Sequence, residues 1–185
     1  MSVLSAESRA KADTLVARYP DARSALLPLL YLVQAEEGHV TRDGMREVAE
    51  ILGLTTAEVE AVATFYTMFK KEPAGKWLVS VCTNVSCALL GGRELYEKAH
   101  SLLADERAAP EGEFALEEVE CLGACDGAPV VQVNYCNYFR VSGETLREMI
   151  ERLRAGDIPE PPHGAKPVEH AATSRILSGL GDDRA

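Results

Sequence analysis

Positive charge is scarce in this 185-residue sequence. It has 19 Lys and Arg residues against 29 Asp and Glu residues, which gives a formal net charge of -10 at pH 7. Proteins that grip a phosphate backbone usually carry an excess of basic residues on one face. This charge balance therefore argues against nucleic acid as a partner.

Long apolar runs are also missing. The longest strongly apolar run, from Ala25 to Val33, is interrupted by Pro28 and falls well short of the roughly 20 residues that a membrane-spanning helix needs. The first eleven residues contain no basic segment leading into an apolar one, and they already include Glu7. This is not the pattern of a secretory signal. We therefore expect a cytoplasmic protein that does not insert into the membrane itself.

Cysteines are few and odd in number. The sequence contains five of them, and in a reducing compartment cysteines serve as metal ligands or free thiols more often than as disulfides. An odd count also argues against a simple disulfide framework. The position of each cysteine therefore has to be considered separately.

The first part of the chain has the pattern of a helical bundle. Apolar residues recur at spacings of three and four from Ser5 to Ala63, with almost no strand signal. Gly38 and Gly53 are placed to end helices, and Thr55 with Glu58 has the spacing of a capping box. We predict a small helical bundle over residues 1–72. Phe65 and Tyr66 are expected to fill its core or its junction with the next domain.

The pattern changes after a turn-rich stretch at 71–75. The sequence then predicts strands at 77–81, 114–119, 129–134 and 138–141, a helix over 88–103 that directs Leu89 inward, and a closing helix after Ser142. The order β, α, β, β, α is the order of elements in the core of the thioredoxin fold. We predict an α/β domain over residues 73–155, and hence an α+β chain.

The last thirty residues, 156–185, contain a cluster of prolines and few apolar residues. Such a composition cannot bury enough apolar surface to offset the entropy of ordering. We predict a flexible C-terminal extension without a core of its own.

Four of the cysteines form two close pairs, and each pair follows a predicted strand. Cys82 and Cys87 follow the first strand, and Cys121 and Cys125 follow the second. If these strands are parallel neighbours, four thiolates could meet at one edge of the sheet and hold a metal centre. Zinc accepts such a set. The wider gap between Cys82 and Cys87 favours a larger iron–sulfur core over zinc, with free thiols as a third possibility.

The cysteine segments carry a resemblance to a known family. Residues 81–87 and 119–130 resemble the cluster motif of thioredoxin-like [2Fe-2S] ferredoxins, and in particular the family of the 24 kDa subunit of respiratory complex I. Residues 25–30, 34–38 and 63–66 resemble the helical segment of the same family. The resemblance covers about residues 15 to 154.

The resemblance implies that Cys82 and Cys87 bind one iron of a [2Fe-2S] cluster while Cys121 and Cys125 bind the other. It implies a one-electron carrier subunit in the peripheral arm of an NADH-quinone oxidoreductase, with no catalytic residue of its own and not competent alone. NADH and FMN belong to a partner subunit, against which the helical segment packs, and other peripheral-arm subunits complete the assembly. The chain would then lie at the inner face of the plasma membrane through the complex.

Two alternatives stay open. The chain could be the equivalent subunit of an NAD-linked hydrogenase or formate dehydrogenase, which shares the same module. From a different class, it could be a structural zinc-binding adaptor with no electron role.

The remaining cysteine and the nearby charges complete the prediction. Cys136 has no counterpart among the ligands and is expected to be a free thiol in a hairpin turn. The stretch 105–120 is predominantly acidic, and Glu120 and Asp126 adjoin two of the cysteines. Negative surroundings oppose the addition of an electron and favour a low reduction potential. Backbone N–H donors that Gly123 and Gly127 bring close to the sulfurs would act in the opposite direction.

Overall fold

The computed structural model describes residues 2–104 and 112–180, which divide into two compact units. One contains the residues up to Ala74 together with those from His170 onward, and the other runs from Gly75 to Glu169. Within the described ranges, none of the helices combines the length and apolar character needed to cross a membrane.

The helical unit begins with four helices and one 3-10 turn, and the predicted bundle is confirmed. They are α1 (Ala6–Val16), the turn Ala22–Ala25, α2 (Leu26–Glu37), α3 (Arg42–Leu52) and α4 (Thr56–Phe65). Helices α2 and α3 end at Gly38 and Gly53, whose φ angles of 75° and 65° suit glycine. These ends agree with the sequence-based prediction.

The predicted capping box at the start of α4 is present. The Thr55 hydroxyl accepts a hydrogen bond from the Glu58 backbone N–H, while the Glu58 carboxylate accepts from the Thr55 backbone N–H at 3.0 Å and from its hydroxyl. These bonds from Thr55, with a further one from Arg23, lower the pKa of Glu58 to about 2. The ionised form of Glu58 therefore stabilises the first turn of α4.

Helix α4 faces the core through Val59 and Ala63, and this fact corrects one prediction. Phe65 lies two residues beyond Ala63, on the other side of the helix, and its side chain is 76% exposed. Tyr66 follows the helix end in extended conformation and is 38% exposed. Phe65 therefore does not fill the core. Phe69 does so in its place.

The second unit contains a four-stranded mixed sheet, and the predicted α/β class is confirmed. Its strands are β1 (Trp77–Cys82), β2 (Phe114–Val119), β3 (Val131–Val133) and β4 (Cys136–Tyr138). They lie in the order β2-β1-β3-β4. Strands β1 and β2 are parallel, with Trp77 opposite Phe114 and Cys82 opposite Val119, whereas the other two pairings are antiparallel. The carboxyl ends of β1 and β2 therefore lie side by side.

The helix predicted over 88–103 is two helices in the structure. They are α5 (Val85–Leu89) and α6 (Gly92–Leu102), and the break falls at Gly91, whose φ is 90°. Leu89 is 80% exposed rather than inward, because α5 turns Cys87 toward the interior instead. Helix α7 (Gly143–Arg154) closes the unit and packs with α6.

The hairpin between β3 and β4 also differs from the prediction. Its turn is formed by Asn134 and Tyr135, which have φ angles of 43° and 69°. Strand β4 consequently starts at Cys136, earlier than the predicted 138, and Cys136 lies in the strand rather than in the turn. The Ala128–Pro129 peptide bond that precedes β3 is cis.

The chain beyond Gly156 differs most from the expectation of an extension without a core. Pro159, Pro161 and Pro167 are buried, and the Tyr138 hydroxyl donates to the Pro159 carbonyl at 2.8 Å. The next segment forms α8 (His170–Arg175) and a π-helical turn (Ile176–Leu180) that pack against α2. Residues 181–185 of the predicted extension, and residues 105–111 of the acidic stretch, lie outside the described part of the chain.

Candidate metal centre

The two cysteine pairs follow the two parallel strands, as the sequence predicted. Cys82 is the last residue of β1, and Cys87 lies in α5 directly after it. Cys121 follows β2 by two residues, and Cys125 begins a 3-10 turn that ends at Gly127. Because β1 and β2 pair in parallel up to Cys82 and Val119, both cysteine loops emerge from the same edge of the sheet.

Cys82 and Cys87 form the inner wall of this region. They are 4% and 2% exposed and cluster with Ala128 and Val130, while Leu122, Ala124 and Phe139 pack around them. Cys121 and Cys125 are exposed. The first pair is thus enclosed in an apolar shell, and the second pair lies at the surface.

The environment of Cys87 opposes a free thiolate. Burial raises the pKa of Cys87, and the neighbouring thiols of Cys82 and Cys125 raise it further, against a hydrogen bond from the Val130 N–H that lowers it. The Cys82 thiol donates to the Glu120 carbonyl at 3.7 Å, so the two cysteine loops approach each other. A cationic centre would supply the compensation that a thiolate needs in this position.

Backbone geometry adds two features that suit thiolate ligands. The Gly123 N–H donates to the Cys121 sulfur at 3.3 Å, and such donors stabilise negative charge on sulfur. A Cβ placed on Gly92 would lie 2.7 Å from the Cys82 carbonyl oxygen and 2.8 Å from that of Cys87. Glycine at position 92 is therefore required for the close approach of α6 to the first cysteine loop.

The thiols do not form a closed ligand set as they stand. In the described ranges, no three His, Cys, Asp or Glu side chains lie close enough together to hold a metal ion. Cys136 lies on β4, which β3 separates from β1 and β2. Its thiol donates to the Ala165 carbonyl at 3.6 Å, and burial raises its pKa. The donor set of paired thiols with N–H donors nevertheless fits an iron–sulfur or zinc centre, because both are bound by soft thiolates.

Two hydroxyl–carboxylate bonds beside the cysteines were missed by the sequence analysis. The Ser80 hydroxyl donates to Glu117 at 2.6 Å, and the Thr83 hydroxyl donates to Glu118 at 2.7 Å. The first bond joins β1 to β2, and the second joins the residue after β1 to β2. Neither bond has a sequence motif, so only the register of the two strands could have indicated them.

The comparisons with known proteins cover most of the chain. A family model described as thioredoxin-like [2Fe-2S] ferredoxin matches residues 12–154. The chain is 45% identical over 175 residues to an NADH-quinone oxidoreductase subunit of Mycobacterium tuberculosis (strain H37Rv), a match that covers 94% of this chain and 69% of that relative. It is 40% identical over 151 residues to an NADH-quinone oxidoreductase subunit of Rhizobium meliloti, covering 80% of this chain and 90% of the relative.

Solved structures show similarity at the level of the fold. The crystal structure of an NAD+-reducing [NiFe]-hydrogenase in the H2-reduced state aligns with a TM-score of 0.58 and 21% sequence identity. The alignment covers 73% of this chain but spans only 23% of the hydrogenase chain.

Proposed function

Because the chain belongs to the thioredoxin-like [2Fe-2S] ferredoxin family, we propose that it is the one-electron carrier subunit of an NADH-quinone oxidoreductase. The observation that carries the proposal is the parallel pairing of β1 with β2, which brings both cysteine loops to one edge of the sheet. A bound [2Fe-2S] cluster would accept and release single electrons there.

Cys82, Cys87, Cys121 and Cys125 are the proposed ligands, the first pair on one iron and the second on the other. Cys82 and Cys87 would hold the cluster against the apolar wall, and the two exposed cysteines would hold it on the solvent side. The Gly123 N–H already donates to the Cys121 sulfur and would partly offset the negative charge of that thiolate.

The proposed assembly follows the names of the relatives, which are subunits of NADH-quinone oxidoreductase. In it, a partner subunit binds NADH and FMN, and electrons pass between that FMN and the cluster. Other peripheral-arm subunits complete the complex, which places this chain at the inner face of the plasma membrane without a span of its own. The chain is then part of an oxidoreductase but not active alone.

The helical unit offers a surface for the partner. The Phe65 and Tyr66 rings are exposed and lie edge to face, with centroids 5.0 Å apart. An exposed aromatic pair on a bundle that already has a core is typical of an interface. We propose that these two residues contact the FMN-binding subunit.

The alternative assembly, an NAD-linked hydrogenase or formate dehydrogenase, would use the same cluster. The likeness to the hydrogenase concerns the fold, so it adds no preference for that assembly. The alternative of a different class is a structural zinc adaptor. A zinc protein would be colourless, because a zinc site has no visible absorption bands, whereas a [2Fe-2S] protein is coloured.

The experiment is ligand replacement with spectroscopy. The purified protein should be reddish brown, with visible bands that bleach on dithionite, and it should contain two irons and two sulfides. Single Cys→Ser changes at positions 82, 87, 121 and 125 should lose or destabilise the cluster, whereas the control Cys136→Ser should not. A colourless protein containing zinc would refute the proposal. Full iron loading with an unchanged electron paramagnetic resonance spectrum in one variant would remove that residue from the ligand set.

A further inference from the structure

A carboxylate on β2 is bound to the residue that follows the first cysteine. The Thr83 hydroxyl donates to Glu118 Oε1 at 2.7 Å. Thr83 directly follows Cys82, and Glu118 precedes Cys121 by three residues. The bond therefore joins the bases of the two cysteine loops.

Backbone contacts fix the same junction. The Thr83 N–H donates to the Val119 carbonyl at 3.0 Å, and the Cys82 N–H donates to the Val130 carbonyl at 3.1 Å. These two bonds hold the backbone where β1 ends, whereas the side-chain bond to Glu118 holds the start of the loop from Thr83 to Cys87. Removal of the side-chain bond should free that loop without unpairing the strands.

Glu118 also brings negative charge to this edge of the sheet. Its side chain is exposed, and among the residues that the structure describes no cation forms an ion pair with it. Addition of an electron to a centre bound by four thiolates increases the negative charge there. A fixed carboxylate nearby therefore opposes that addition through Coulomb repulsion.

We propose that Glu118 is a positioning residue that holds the first cysteine loop through Thr83 and lowers the reduction potential of the bound cluster. This inference rests on the proposed cluster function. For a carboxylate within roughly 10 Å of the centre near the protein surface, its neutralisation changes the equilibrium constant of one-electron reduction by about three-fold.

Two variants separate the charge from the hydrogen bond. In Glu118→Gln the amide oxygen still accepts from Thr83 but the charge is gone. In Thr83→Val the charge remains but the hydroxyl donor is lost. The control is Glu151→Gln, which removes the same charge near the end of α7. That end lies away from the cysteines, because Arg154 lies over the ring of Phe114 at the opposite end of β2.

The measurement is a redox titration of the cluster-loaded, full-length protein with dithionite as the reductant and mediators, followed by electron paramagnetic resonance. Glu118→Gln should favour the reduced form about three-fold relative to the wild type, with unchanged iron content, and Glu151→Gln should not differ from the wild type. Thr83→Val should change the line shape of the spectrum, because the loop is no longer held, with a smaller change in the equilibrium than Glu118→Gln.

An equal equilibrium constant in Glu118→Gln and Glu151→Gln would overturn the role of the charge. A wild-type line shape in Thr83→Val would overturn the role of the hydrogen bond. Both outcomes require a wild-type protein that shows the [2Fe-2S] signal. Absence of that signal from the wild type would instead refute the proposed function.

Discussion

Gln34 ties the C-terminal segment to α2, and its replacement by leucine should release that segment. The Gln34 side chain is fully buried. Its amide nitrogen donates to the Ser174 hydroxyl at 3.1 Å and to the Met68 carbonyl at 3.3 Å, and its oxygen accepts from the Lys70 N–H at 2.7 Å. A single side chain thus links α2, the chain after α4, and α8.

The magnitude follows from these bonds. Gln34→Leu removes the acceptor for the Lys70 N–H and the donor to the Ser174 hydroxyl, and each such loss at a buried site costs roughly 1–3 kcal/mol. Burial of the leucine side chain returns roughly 1–2 kcal/mol. Only the bond to Ser174 reaches the segment, whereas the bond from Lys70 acts within the rest of the unit. We therefore expect the free energy that holds the segment in place to fall by about 2 kcal/mol.

Trypsin reports this loss directly, because Arg175 lies within the segment. Arg175 is half-buried and forms an ion pair with Glu36 at 3.1 Å, so cleavage after it requires the segment to open. A change of about 2 kcal/mol corresponds to roughly 30-fold faster cleavage when opening is fast relative to cleavage. Mass spectrometry of timed digests should show this acceleration, and urea unfolding should show the lower stability.

Gln132→Leu is the matched control, since Gln132 is the other glutamine of the sequence. Gln132 is half-buried, and its side chain donates a hydrogen bond to Asn137 at 2.8 Å. The loss of this bond should leave the rate of cleavage at Arg175 unchanged. Equal cleavage rates in the two variants would refute the packing of the segment on α2. Rapid cleavage of the wild type at Arg175 would instead support the flexible C-terminal extension that the sequence predicts.

Three further predictions concern other parts of the chain. Because the pKa of Glu58 is lowered to about 2, the stability that Glu58 contributes is present above its usual pKa of about 4.5 and is lost as the pH falls toward 2. In urea titrations at several pH values, Glu58→Gln should lower the stability at pH 7 and flatten this loss at acid pH. A loss of stability at acid pH as steep as in the wild type would contradict the prediction. Gly92→Ala should reduce iron loading, since the new Cβ meets backbone oxygens. The control Gly143→Ala should load iron normally, because only the Lys98 side chain lies near that position, at 3.7 Å. Equal iron content in the two variants would refute the steric argument. Phe65→Ser should weaken co-purification with an FMN-binding partner at least ten-fold. The control Leu177→Ser also changes an exposed apolar residue and should not weaken it. An equal effect of the two substitutions would remove Phe65 from the interface.

The sequence was sufficient for the features that depend on local pattern. Several features follow from spacing over a few residues: helices α2 to α4, the glycine ends of α2 and α3, the capping box at Thr55, the strands β1 and β2, and the placement of the cysteine pairs after these strands. The resemblance to the ferredoxin family is confirmed by a family model that covers residues 12–154. The assignment of the four cysteines as ligands stays a prediction.

The missed features depend on tertiary contacts. The exposure of Phe65 follows from which face of α4 meets the core, and an apolar residue at a helix end does not reveal that face. The C-terminal segment packs through small polar residues, including Ser174, whose partner Gln34 is 140 residues away in sequence. A count of apolar residues cannot detect such a contact, because hydrogen bonds hold the segment as well as apolar area.

The two hydroxyl–carboxylate bonds at the cysteine edge act together on the register of β1 and β2. Ser80 lies opposite Glu117 and Val81 lies opposite Glu118, and successive residues of a strand face opposite sides of the sheet. The bond from Ser80 to Glu117 therefore lies on one face, and the bond from Thr83 to Glu118 lies on the other. A slip by one residue would break both bonds at once and would turn the side chains of β2 to the wrong faces. The register that these bonds favour places Cys82 opposite Val119, so the loop that carries Cys121 begins beside the end of β1.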